Sequence, residues 1–150
     1  MINNIKNDLF YLCSLIEYTA RITKNHRSLI VECMGRDGIY KQLQDAGVSH
    51  CLSFEQVSDE IIEWYKIPTG DFDTISNCKY KVPGFMDIGK LYSYIILDCS
   101  KSMDLMDIVS ETINVFSSFI SDAISNFSSD LYYQNPSYIE WSYREGYLLD

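Results

Sequence analysis

An all-α fold, a compact bundle of six or seven helices, follows from three features of this sequence. Apolar residues recur at spacings of three and four along most of its length, which is the signature of amphipathic helices. Only three prolines and seven glycines interrupt 150 residues, too few for a sandwich that turns every ten residues or so. Hydrophobic residues make up 47% against 22% charged, a balance that favours a packed core over disorder. The length suits a single domain over 1–150.

The first helix is expected from about Asn4 to Lys24, with Ile5, Leu9, Leu12, Ile16 and Ala20 on one face and Lys6, Glu17 and Arg21 nearer solvent. A short helix over Ser28–Met34 should end at Gly35. A third, capped by Asp37, should carry Ile39, Tyr40, Leu43 and Ala46 and close at Gly47. Ser53-Phe54-Glu55-Gln56 has the form of a capping box, so the next helix starts there. Its apolar face is Phe54, Val57, Ile61 and Trp64.

Residues 67–84 hold two prolines and two glycines with Asp71, Asp73 and Asn77, and read as one long ordered loop. Loops of that length in compact domains often carry function. Helices are then expected at about Phe85–Asp98 and Ser102–Phe127. The final segment, about 128–150, changes character: Tyr132, Tyr133, Tyr138, Trp141, Tyr143 and Tyr147 stand with four acids against the single Arg144. Pro136 suits the first turn of a last short helix.

Net charge is −9, unevenly distributed. Lys and Arg number six against five acids in residues 1–50, four against eight in 51–100, and two against eight in 101–150. The later regions repel phosphate, so neither nucleic acid nor an anionic membrane is an expected partner, and a basic protein surface is. No apolar run reaches the roughly 18 residues of a membrane span. Five scattered cysteines without a Cys-x-x-Cys pair point to reduced thiols, and the N-terminus does not read as a signal peptide, so the expected location is cytoplasmic.

Chemical motifs are weak. His50 and Cys51 are adjacent, and neighbouring side chains diverge, so they do not make a nucleophile–base pair. Two histidines and the dispersed cysteines lack metal spacing, and Asp71-x-Asp73 continues with Ile75 and Val82 where a calcium loop needs oxygen ligands. No catalytic residue, metal or cofactor is assigned. Gly89-Lys90 lacks the rest of a phosphate loop, and the glycine reads as a point of close helix packing.

Two constellations remain. Glu55, Asp59 and Glu63 form an acidic ridge beside Trp64, with Asp71 and Asp73 beyond; together with Tyr138 and Trp141 they are the expected contacts for a protein partner. Arg21, Lys24 and Arg27 cluster at the end of the first helix, where they complement its dipole. They are the alternative, a site for a nucleotide-like anion. Self-association through the aromatic segment would give a homodimer.

Several strings in order carry a resemblance: Arg21-Ile22-Thr23-Lys24-Asn25 with Arg27, Val48-Ser49-His50-Cys51, Gln56-Val57-Ser58-Asp59-Glu60-Ile61-Ile62-Glu63, Gly70-Asp71-Phe72-Asp73 and Pro83-Gly84-Phe85-Met86-Asp87-Ile88-Gly89-Lys90-Leu91-Tyr92. Over about residues 9–97 the chain resembles an uncharacterised family of small bacterial proteins encoded beside ADP-ribosyltransferase-like proteins. The resemblance implies a toxin-like neighbour, with this chain as its non-catalytic antitoxin. It supplies no catalytic residues.

Overall fold

A computed structural model describes residues 4–149; Met1–Asn3 and Asp150, part of the expected 1–150 domain, lie outside the described residues. Seven α-helices and no strand are found among them: α1 (Ile5–Thr23), α2 (Arg27–Ser49), α3 (Phe54–Trp64), α4 (Phe85–Cys99), α5 (Leu105–Ser117), α6 (Phe119–Ser125) and α7 (Pro136–Glu145), with one short 3-10 turn at Leu131–Tyr133. They enclose one apolar core. No helix among the described residues is long and apolar enough to cross a membrane.

α1 is the central element. Its expected stripe is buried, but so are Cys13, Ser14, Glu17 and Thr19, because α2, α3 and α4 surround it. Glu17 was expected toward solvent and is instead wholly buried. The helix packs most extensively on α4, where Gly89 meets Ser14 so closely that an added Cβ would sit 2.7 Å from the Ser14 backbone nitrogen. Gly89 is thus the close-packing glycine anticipated above. The rings of Tyr11, Tyr18, Phe54 and Phe85 tie α1, α3 and α4 together at centroid distances of 4.9–6.0 Å. Edge and offset contacts of this kind add to simple burial.

Local signals explain the helix ends. Ser53 accepts from the Gln56 amide at 3.1 Å, as the capping box requires. α1 and α3 stop by the same device: Lys24 and Lys66 adopt left-handed backbone at φ 59° and 53°. Asn25 then donates to Ala20 O and Ile67 to Ile62 O, both at 3.0 Å. These six-to-one bonds are Schellman closures made without glycine. α3 therefore ends before Pro68.

Two boundaries differ from expectation. The helices foreseen on either side of Gly35 run together as α2, kinked where Gly35 takes φ 68°, ψ 176°, and continue past Gly47. The long helix foreseen over Ser102–Phe127 is two. Asp104 caps α5 through the Met106 amide. Ser118 interrupts the run, its hydroxyl donating to Val115 O at 2.7 Å and accepting from Ile120 N. Serine competes with the helix for its own backbone bonds, and the break turns Ile120 and Ile124 into the core.

The loop between α3 and α4 has no regular structure, including around Tyr80-Lys81-Val82. It is nonetheless anchored: Gly70 N donates to Thr23 O and Phe72 N to Lys24 O, each at 2.8 Å.

Candidate functional site

The basic cluster lies at the corner between α1 and α2, and most of it faces inward. Arg27 is 1% exposed, and its Nε and Nη2 donate to the two Glu17 carboxylate oxygens at 2.8 and 2.6 Å. This is the planar, two-pronged geometry that suits guanidinium. Arg21 reaches the same carboxylate from one turn along, donating at 2.7 Å. It also donates to Pro83 O and lies 5.1 Å above the Phe127 ring. Burial alone would push the Glu17 carboxyl up, but the hydrogen bonds and charges of Arg27 and Arg21 outweigh it and hold the group below its ordinary value.

Neighbouring side chains fasten the corner to the rest. Asn25 donates to Pro68 O at 2.7 Å. His26 stacks on Phe72 at 3.8 Å, and its Nδ1 lies 2.9 Å from an Asp122 carboxylate oxygen. Of the three cations read as an anion site, Lys24 alone among the described residues forms no ion pair with a carboxylate.

The acidic ridge is exposed. Glu55, Asp59 and Glu63 recur every four residues on one face of α3, and Trp64 beside them is 58% exposed. Asp71 is also exposed, on the loop at the α1–α2 corner. Asp73 has an internal task. Its Oδ1 accepts from the Ile75 and Ser76 amides at 3.0 and 3.1 Å, and Ser76 and Ile75 as donors hold its carboxyl down at about 2. This is the short Asx-type turn expected of Asp in such a loop.

The aromatic segment divides. Tyr132, Tyr138 and Tyr143 pack on the core. Tyr138 donates to Leu149 O, and Tyr143 donates to Glu111 at 2.5 Å. Arg144 joins α7 to the end of α4 by donating to Glu140 and to Asp98 O. In contrast, Tyr133, Trp141 and Tyr147 are 65%, 56% and 60% exposed.

One surface was not anticipated. Tyr80 of the loop and Tyr133 line one groove together with Phe127, Ser128 and Asp130. The Tyr132 and Tyr133 rings, edge to face at 5.1 Å, connect it to a second groove formed by Asp87, Lys90, Leu91 and Tyr94 with Tyr132. Tyr80 is 67% and Tyr94 40% exposed. The result is a band of tyrosines with charges of both signs, Asp87 and Asp130 beside Lys90 and the Lys79 and Lys81 that flank Tyr80. No short-range pattern reveals it, because its residues come from the loop, α4 and the segment before α7.

No group of three or more His, Cys, Asp or Glu among the described residues is placed to hold a metal ion, and all five cysteines are free thiols. Compared with known proteins, the chain matches no family model, no curated protein and no solved structure.

Proposed function

We propose that the chain is a non-catalytic protein-binding module that docks on a basic partner surface through exposed aromatic rings set among carboxylates. The observation that carries this reading is the exposure of Trp64, Tyr80, Tyr133, Trp141 and Tyr147, each more than half open to solvent. Tyr and Trp supply much of the energy at protein interfaces. The carboxylates of Glu55, Asp59, Glu63, Asp71, Asp87 and Asp130 would speed encounter with a basic surface.

The resemblance described above suggests the partner: an ADP-ribosyltransferase-like toxin, neutralised by covering its anion-binding cleft. The alternative, a nucleotide-like anion held by Arg21, Lys24 and Arg27, is disfavoured because Glu17 already engages both arginines. Co-expression with the product of the neighbouring gene, followed by mass determination, tests the proposal. A stoichiometric complex whose association slows as salt is raised is the expected result. A chain that stays alone, together with normal growth of toxin-producing cells lacking this gene, would sink it.

A further inference from the structure

The structure carries a second site, away from these rings. A cavity of about 560 Å³ opens where the first turns of α1 meet the end of α2, the start of α3 and the start of α4. That volume lies within the range of small-molecule sites. Its walls are the rings of Phe10, Tyr11 and Phe54 with Met86, and its polar groups include Asp8, His50 and Ser14.

The one carboxylate of the lining and its rings specify what it would take. Ser14 closes the inner end, wholly buried, with its Oγ against Gly89 of α4. Asp8 supplies the only carboxylate of the lining, with no Lys or Arg among the described lining residues. Burial pushes its carboxyl above the ordinary value, against the pull of His50, so the group is partly withdrawn from water. His50 Nδ1 lies 3.2 Å from Ala46 O. Asn4 and Asn7 add amides that donate as well as accept, which leaves Asp8 as the one carboxylate. A ligand anion would oppose it. A protonated amine with an apolar or aromatic body matches both halves: N–H donors for Asp8, and ring faces that attract cations.

We infer that this cavity binds a small organic ammonium, its apolar body among Phe10, Tyr11, Phe54 and Met86 and its cationic head at Asp8. The inference is independent of the protein-binding reading. The test is a titration of isotope-labelled full-length protein with phenethylamine and, separately, with its neutral counterpart 2-phenylethanol, followed by amide NMR shifts. Shifts should centre on Asp8, Ser14, Gly47 and His50, with the amine binding about tenfold tighter than the alcohol, as expected for a charge-assisted over a neutral hydrogen bond. Asp8→Asn should erase that difference. Gly47→Phe should abolish binding of both, since Gly47 lines the cavity and a Cβ there meets nothing within 4 Å. Equal binding of amine and alcohol, shifts centred elsewhere, or no shifts at all would overturn it, as would an Asp8→Asn protein that keeps the preference.

Discussion

The α1–α2 corner and the C-terminal segment treat their chemistry in opposite ways. At the corner, two arginines and a glutamate are drawn inside and satisfied by one another, with Arg27 and Glu17 at 1% and 0% exposure. In the C-terminal segment, three of six large rings are left outside. The difference shows that charge is not a reliable sign of a contact surface, nor aromaticity of a core. A buried ion pair holds when every proton and lone pair is matched, whereas an exposed ring reflects surface that the chain's own packing has not consumed. The corner fixes the fold, while the rings are free to meet something else.

Replacing Glu17 by Gln is the strongest way to break this comparison. It strands Arg27 without a counter-charge, and the expected loss is about 3–5 kcal/mol in urea unfolding. Glu17→Met with Arg27→Met should recover most of it, because paired apolar replacements escape the desolvation penalty. The same pair sets the acid response. Since Glu17 titrates lower folded than unfolded, its contribution is intact above the ordinary carboxyl range of about 4.3 and is lost as pH falls through the folded value. The urea midpoint should be level from neutral pH to about 5 and decline below about 4.3. In the double variant that decline should be shallower.

Gly70→Ala tests how tightly the loop is held. An added Cβ would lie 2.5 Å from Lys24 O and 2.2 Å from Asn25 Oδ1, an overpacking expected to cost about 1–3 kcal/mol by thermal unfolding. Lys24→Gly should act in the other direction. Relief of a left-handed lysine is offset by the entropy of glycine, for a net gain of up to about 1 kcal/mol and a slightly higher Tm. At the other region, Trp141→Ala and Tyr133→Ala should change stability by no more than about 0.5 kcal/mol. Their effect should appear in partner affinity instead, by roughly 2 kcal/mol at a central ring. A large drop in Tm for either would mean that the ring belongs to the fold.

Much of the bundle was legible because helices announce themselves locally. The α1 stripe at Ile5, Leu9, Leu12, Ile16 and Ala20 and the Ser53 cap need only a few consecutive residues to be recognised, and both stand in the structure. Glu17 was misjudged for a physical reason. Period alone puts it at the margin of that stripe, and only the enclosure of α1 by three neighbours removes the solvent side from its middle turns. The Ser118 break was hidden by apolar spacing that continues across it. The tyrosine band was out of reach, since Tyr80, Tyr94 and Tyr133 share a surface only after the loop has been tied to the corner and α7 laid beside α4. The Asp8–His50 cavity was equally non-local: it needs the first turn of one helix beside the last turn of the next.

The loop also determines where the chain can be opened. It is bonded to the corner at Gly70 and Phe72 and again at Pro83, where Arg21 donates to the carbonyl, while Lys79 and Lys81 between them are exposed. A trypsin cut there separates α1–α3 from α4–α7, yet the broadest helix contact in the molecule, α1 on α4, bridges the two pieces. Two bands on a denaturing gel and one peak on gel filtration should follow, and the same spot is the place to install a tag or new termini: a protein made as one chain that would survive as two.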